Sequence, residues 1–118
     1  MNTSYRDLLS WAKECSEFSL VWRDEVAYNQ VAFNLEKSLL PFLMKKERVN
    51  KWPGTEIMGN NAIIRIYRVC DESIQVLRSV KDIFFFVGPD YPEDLAFYID
   101  GKVVFASVAH EEMAWFEE

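Results

Sequence analysis

Two apolar runs, 95–99 and 102–108, stand on either side of Asp100-Gly101. Both residues of an Asp-Gly pair adopt positive φ readily, which a two-residue type I′ turn requires, and the twist of that turn matches the twist of paired strands. The dipeptide therefore predicts a β-hairpin over about 95–108. Counting outward from the turn sets Tyr98 opposite Val103, Phe97 opposite Val104 and Ala96 opposite Phe105. Both faces of such a hairpin are apolar, and its aromatic cross-strand pairs reinforce it. A hairpin of this kind belongs inside a sheet that is covered on both sides.

The rest of the chain reads as helices and strands in mixed order. After a cap at Thr3 or Ser4, Tyr5, Leu8, Leu9, Ala12 and Cys15 recur at helical spacing, with Arg6, Asp7, Lys13 and Glu14 on the other side. Alternation from Glu17 to Arg23 predicts a short strand. Asp24-Glu25 then places acids where a helix macrodipole favours them, so a second helix is expected to open there and to end at Pro41. The stretch 42–55, rich in Lys and Arg and closed by Trp52-Pro53-Gly54-Thr55, reads mostly as loop, with an edge strand near Leu43. Residues 62–69 combine β-branched and aromatic types into a strand, and Asp71 caps a short third helix lined by Ile74 and Leu77. Gly88-Pro89-Asp90-Tyr91-Pro92 reads as a rigid connection that positions Asp90, Glu93 and Asp94. Met113, Trp115 and Phe116 are expected to pack back onto the body. These elements predict a single α+β domain over residues 1–118: an antiparallel sheet of about four or five strands, with the hairpin at 95–108, packed by two or three helices.

Composition narrows the function. With 118 residues, half of them hydrophobic, the chain can build a core, and a formal charge of −6 disfavours a nucleic acid partner held by its phosphates. No apolar run approaches the length of a membrane span. The first residues lack the form of a secretory signal. Two cysteines without C-x-x-C spacing and one histidine supply neither a disulfide framework nor a zinc set. The reading is a cytoplasmic protein with no cofactor, no metal and no membrane partner, either a monomer or a weak homodimer.

Candidate chemistry is sparse. His110 is the one side chain of a type whose unperturbed pKa lies near neutrality, and it has Ser107, Glu111 and Glu112 as neighbours, yet a continuing strand would turn Ser107 and His110 to opposite faces and no G-x-S-x-G elbow is present. Capping of the last strand or bonding to a nearby carboxylate is the favoured account of His110 over catalysis. Cys70, just before a helix start, is a candidate reactive thiol or simply a small apolar residue at a strand end; Cys15 reads as core. The acid pairs Glu93-Asp94 and Glu111-Glu112 have no spaced ligand loop around them. The four glycines are scattered in turns and form no phosphate cradle. A small enzyme or ligand-binding domain, with a pocket near Phe84–Phe86, Tyr91 and His110, is the rival to a binding protein.

Charge is distributed unevenly. Residues 82–118 hold nine acids against Lys102 alone, whereas the first 81 residues carry 12 basic and 10 acidic groups. This acid is expected on exposed loops and termini, either as a solvated face or as a docking surface for a basic partner, with Trp52, Tyr91 and Trp115 as aromatic anchors. Trp52-Pro53-Gly54-Thr55, Pro92-Glu93-Asp94-Leu95-Ala96-Phe97-Tyr98 and Ser107-Val108-Ala109-His110-Glu111 are segments like those of small bacterial proteins. In size, acidity and element order the chain resembles the immunity proteins of contact-dependent inhibition and related polymorphic-toxin systems. The resemblance implies a non-enzymatic cytosolic protein that binds and blocks a cognate toxin domain, often a basic nuclease. On the charge argument Asp90, Glu93, Asp94, Asp100, Glu111 and Glu112 would then face the toxin's basic groups in place of its substrate phosphates.

Overall fold

A computed structural model describes residues 4–117; Thr3, the alternative cap, and Glu118 lie outside it. The described chain is α+β: three helices, a six-stranded sheet and a separate two-stranded one. The elements run α1 (Tyr5–Ala12), β1 (Glu17–Arg23), α2 (Gln30–Leu39), β2 (Leu43–Val49), β3 (Lys51–Trp52), β4 (Thr55–Glu56), β5 (Ala62–Arg68), α3 (Asp71–Leu77), β6 (Glu93–Ile99), β7 (Lys102–Val108) and β8 (Met113–Phe116). Short 3₁₀ turns precede β2, β6 and β8. The large sheet has the order β2-β5-β1-β6-β7-β8, and every pairing in it is antiparallel.

The hairpin forms β6 and β7, and neither is an edge. Tyr98 faces Val103 as expected, but a bulge beside that pair sets Phe97 opposite Phe105 rather than Val104. Phe97 and Phe105 thereby share a face, with ring centroids 6.1 Å apart. That face carries Phe18, Leu20, Tyr67 and Leu95 as well, and it is covered by Leu8, Leu9 and Ala12 of α1, Leu35 and Leu39 of α2, and Ile74 and Leu77 of α3. Burying so many large side chains, each worth about 1.5–3 kcal/mol, is what holds the helices on the sheet.

Three boundaries differ from the sequence reading. The second helix begins at Gln30, because Asn29 Oδ1 accepts from the Val31 and Ala32 amides at 3.0 and 3.4 Å. Asp24 and Glu25 instead pair with Arg48 and Arg23, at 2.7 and 2.6 Å. The stretch after Pro41 is not loop: residues 43–49 form β2, a full edge strand paired with β5. Cys70, not Asp71, is the N-cap of α3, its amide donating to Ser73 Oγ at 2.9 Å. Sheet strands therefore number six plus two, more than the four or five expected.

The second face of the sheet has its own small core. Val21, Ala62 and Ile64 are buried beneath Trp52, with Val49 and Ile57 at the margin. Trp52-Pro53-Gly54-Thr55 is the turn joining β3 to β4, and Gly54 has φ +88°, the positive value that the third position of a type II turn needs. A Cβ on Gly54 would stand 2.7 Å from Trp115 Cη2 and 2.9 Å from Val108 Cγ2. The β3–β4 unit is thus pressed against β7 and β8, and it covers the sheet where β6 begins.

Candidate functional site

Two carboxylates sit under that cover. The pairing of β1 with β6 is irregular between Ser19 and Val21, where Asp94 takes φ +59°. This bulge lets adjacent acids, Glu93 and Asp94, serve different neighbours. Asp94 accepts from Trp52 Nε1 at 2.8 Å and from the Ala109 amide at 3.0 Å. Glu93 accepts from the Tyr28 hydroxyl at 2.9 Å, and that hydroxyl accepts from the Arg23 amide at 3.0 Å. Arg23 lies over the Trp52 ring, 5.7 Å from its centroid, and closes the cluster with a cation.

Glu93 and Asp94 are 5% and 3% exposed, which corrects the expectation that they stand on an open acidic loop. Trp52, at 4%, is likewise interior. Burial raises both carboxyl pKa values above the ordinary range. For Glu93 the Tyr28 hydrogen bond opposes the rise and the Asp94 charge adds to it; for Asp94 the bonds from Trp52 and Ala109 oppose it. Burial also holds the Tyr28 hydroxyl protonated well beyond neutrality, so it remains a donor. The cluster ties β1, β3, β6 and the turn after β7 together; the Tyr28, Trp52 and Ala109 donors are used within it, while Arg23 Nε is buried without a hydrogen-bond partner.

The remaining predicted residues divide among three places. Asp90 is exposed and bonded to the Asn29 side chain at the head of α2. Asp100 is exposed at the hairpin turn, where its amide donates to Ser16 Oγ at 3.0 Å. Glu111 and Glu112 are exposed on the turn leading into β8, and Glu112 has φ +53°. Tyr91 is half-buried against Phe86, and Trp115 is half-buried with its Nε1 donating to Glu117 Oε1 at 2.8 Å.

Strand β8 was read only as a terminal segment packing back. It pairs with β7 from Val108↔Met113 to Phe105↔Phe116, and its other side is the unpaired edge of the sheet. Met113 and Phe116 remain 48% and 44% exposed although Phe116 packs edge-on against Trp11, 4.9 Å between centroids. Glu111 and Glu112 precede this apolar strip and Glu117 follows it. Sequence reasoning gave the acids but missed Glu117 and Met113 as their companions; the signal was the apolar run 113–116 bracketed by Glu111-Glu112 and Glu117.

The residues of the rival pocket do not converge on a cavity. Phe86 is fully buried, Phe85 points outward, and His110 is exposed with Nε2 3.9 Å from Glu111 Oε1. Tyr91 lines a groove of about 220 Å³ between α2 and α3 with Asn34, Ser38 and Ser79. Ser107 is buried and donates to the Leu95 carbonyl at 2.7 Å, so it is not a partner of His110. Cys15 is interior, and burial pushes its thiol up to about 11. Among the described residues, no helix is long and apolar enough to cross a membrane, and no three His, Cys, Asp or Glu side chains gather as a metal set. No family model matches the chain, and no curated protein or solved structure does.

Proposed function

We propose that the chain is a non-enzymatic immunity protein of a polymorphic-toxin system, acting in the cytoplasm by binding a basic toxin domain along the β8 edge. The observation that supports this reading is the edge itself, with exposed Met113 and half-buried Trp115 on one face and exposed Phe116 on the other, flanked by Glu111, Glu112 and Glu117. An apolar centre with a charged rim is the anatomy of a protein interface, where the centre supplies affinity and the rim supplies encounter rate and choice of partner. Asp100 extends the acidic rim at the hairpin turn. Glu93, Asp94 and Trp52 support the surface from beneath rather than contact the partner.

The test is protection from the toxin domain encoded immediately upstream. Co-expression with the wild-type chain should restore growth, and the purified domains should associate. Replacing Glu111→Lys and Glu112→Lys together should weaken binding by about tenfold or more, mostly by slowing association, and the loss should shrink at high salt. Met113→Ser with Phe116→Ser should instead speed dissociation. Affinity indifferent to both pairs, or an upstream gene encoding no toxin domain, refutes the proposal.

A further inference from the structure

Away from the acidic edge, the first turn of α1 meets the segment that follows α3. Tyr5, Arg6, Leu9, Arg78, Val80 and Lys81 line a groove of about 340 Å³ there. Leu9 and Val80 close its base from within, and the half-buried Tyr5 is the aromatic group open to it. Its walls carry three cations and no acid, in a chain whose net charge is −6. Among the described residues none of the three cations forms an ion pair; Arg78 reaches only the Ser10 hydroxyl, at 3.4 Å.

Helix electrostatics accounts for part of this arrangement. Arg78 and Lys81 follow the C-terminal end of α3, where cations are favoured, but Arg6 occupies the first turn of α1, where the macrodipole opposes a cation. A charge placed against the dipole and left without a counter-ion is balanced when an anion enters. The groove's own polar groups do not compete. The Tyr5 hydroxyl donates to the Leu77 carbonyl at 2.6 Å, and nearby Asp82 caps the next turn by accepting from the Ile83 amide at 2.7 Å.

We propose that this groove binds a phosphate monoester carrying a compact apolar body. Such a group bears a charge of about −1.5 to −2 at neutral pH, which suits two guanidinium forks and an ammonium better than a single carboxylate does. The volume lies at the low end of ligand sites, roughly 300–1,000 Å³, so the body is no larger than a ring resting on the half-buried Tyr5 and the aliphatic stems of the cations.

The experiment titrates isotopically labelled protein at fixed ionic strength with phenyl phosphate, inorganic phosphate and benzyl alcohol, followed by amide shifts. Phenyl phosphate should saturate shifts at Arg6, Leu9, Val80 and Lys81 and bind about tenfold tighter than inorganic phosphate, the ring's burial supplying the difference. Arg6→Gln and Lys81→Gln, both at exposed positions, should each weaken it about fivefold or more while leaving Tm unchanged. Equal binding of inorganic phosphate, binding of benzyl alcohol at the same strength, absence of saturation by about 20 mM, or affinity indifferent to both variants overturns the proposal.

Discussion

Removing the indole donor with Trp52→Phe tests whether the buried acid cluster fastens the β3–β4 unit to the sheet. Asp94 Oδ2 would lose its 2.8 Å partner at a site that water reaches poorly, since both residues are less than a tenth exposed. A hydrogen bond to a charged group is worth about 1.5–3 kcal/mol, and the missing part of the indole leaves a void costing about 1 kcal/mol more, for a total of about 2.5–4 kcal/mol. The bond is isolated by a double-mutant cycle with Asp94→Gly, a replacement chosen because glycine accepts the φ of +59° that alanine would not. Urea unfolding of the wild type, the two single variants and the double variant should give a coupling of about 1.5–3 kcal/mol, while Trp52→Phe with Asp90→Gly should be additive within about 0.5 kcal/mol. A Trp52–Asp94 coupling below about 0.5 kcal/mol would show that the two groups do not act together and would refute the fastening role.

Three further outcomes follow from the same geometry. Gly54→Ala should destabilise by about 2 kcal/mol or more, from positive φ and from a methyl driven into Trp115 and Val108, read as a lowered urea midpoint and a red-shifted tryptophan emission; a neutral effect contradicts the packing. Because burial raises the folded-state pKa of Glu93 and Asp94, the folded protein binds more protons than the unfolded chain between the ordinary carboxylate range and the raised values; stability should therefore fall as pH rises through that window and recover on acidification from pH 7 toward it, with a shallower slope in Glu93→Gln, and equal slopes would exclude the buried acids as the cause. Asn29→Ala should cost about 0.5–2 kcal/mol by stripping the cap from α2, whereas Asp24→Ala, outside the helix, should leave its helical signal intact in circular dichroism.

What was legible in the sequence was what local chemistry dictates. Asp100-Gly101 admits one tight turn, so the hairpin could be placed, and β-branched runs such as 62–68 announce strands by themselves. The bulge that moves Phe105 opposite Phe97 carries no local mark, because it is set by packing of both rings against Trp11. Strand β2 was hidden since both its faces are solvated: Lys45, Lys46, Glu47 and Arg48 show no alternation, and the strand is held by backbone bonds to β5. The start of α2 was misread because Asp24-Glu25 resembles a helix's first turn, while the arginines that claim those acids sit at positions 23 and 48. Burial of Glu93 and Asp94 was least legible, for it depends on donors at 28, 52 and 109 brought together only by the sheet order.

The sheet order also separates charge in a way that the linear sequence does not. Its two unpaired edges are β2, where Lys45 pairs with Glu47 and Arg48 with Asp24 and Lys46 adds a further cation, and β8, bounded by Glu111, Glu112 and Glu117. Five inter-strand spacings of about 4.8 Å put them about 24 Å apart, more than two Debye lengths at physiological salt. Each edge therefore presents its own field. Pairing of β2 with β2 of a second copy would set lysines beside lysines, the usual device that blunts an exposed edge. At β8 the pairing surface is only four residues long, so few backbone groups are on offer, and on the proposed function affinity there rests on the side chains of Met113, Trp115 and Phe116. On the proposed function, this charge distribution favours approach of a basic partner at β8 over approach at β2.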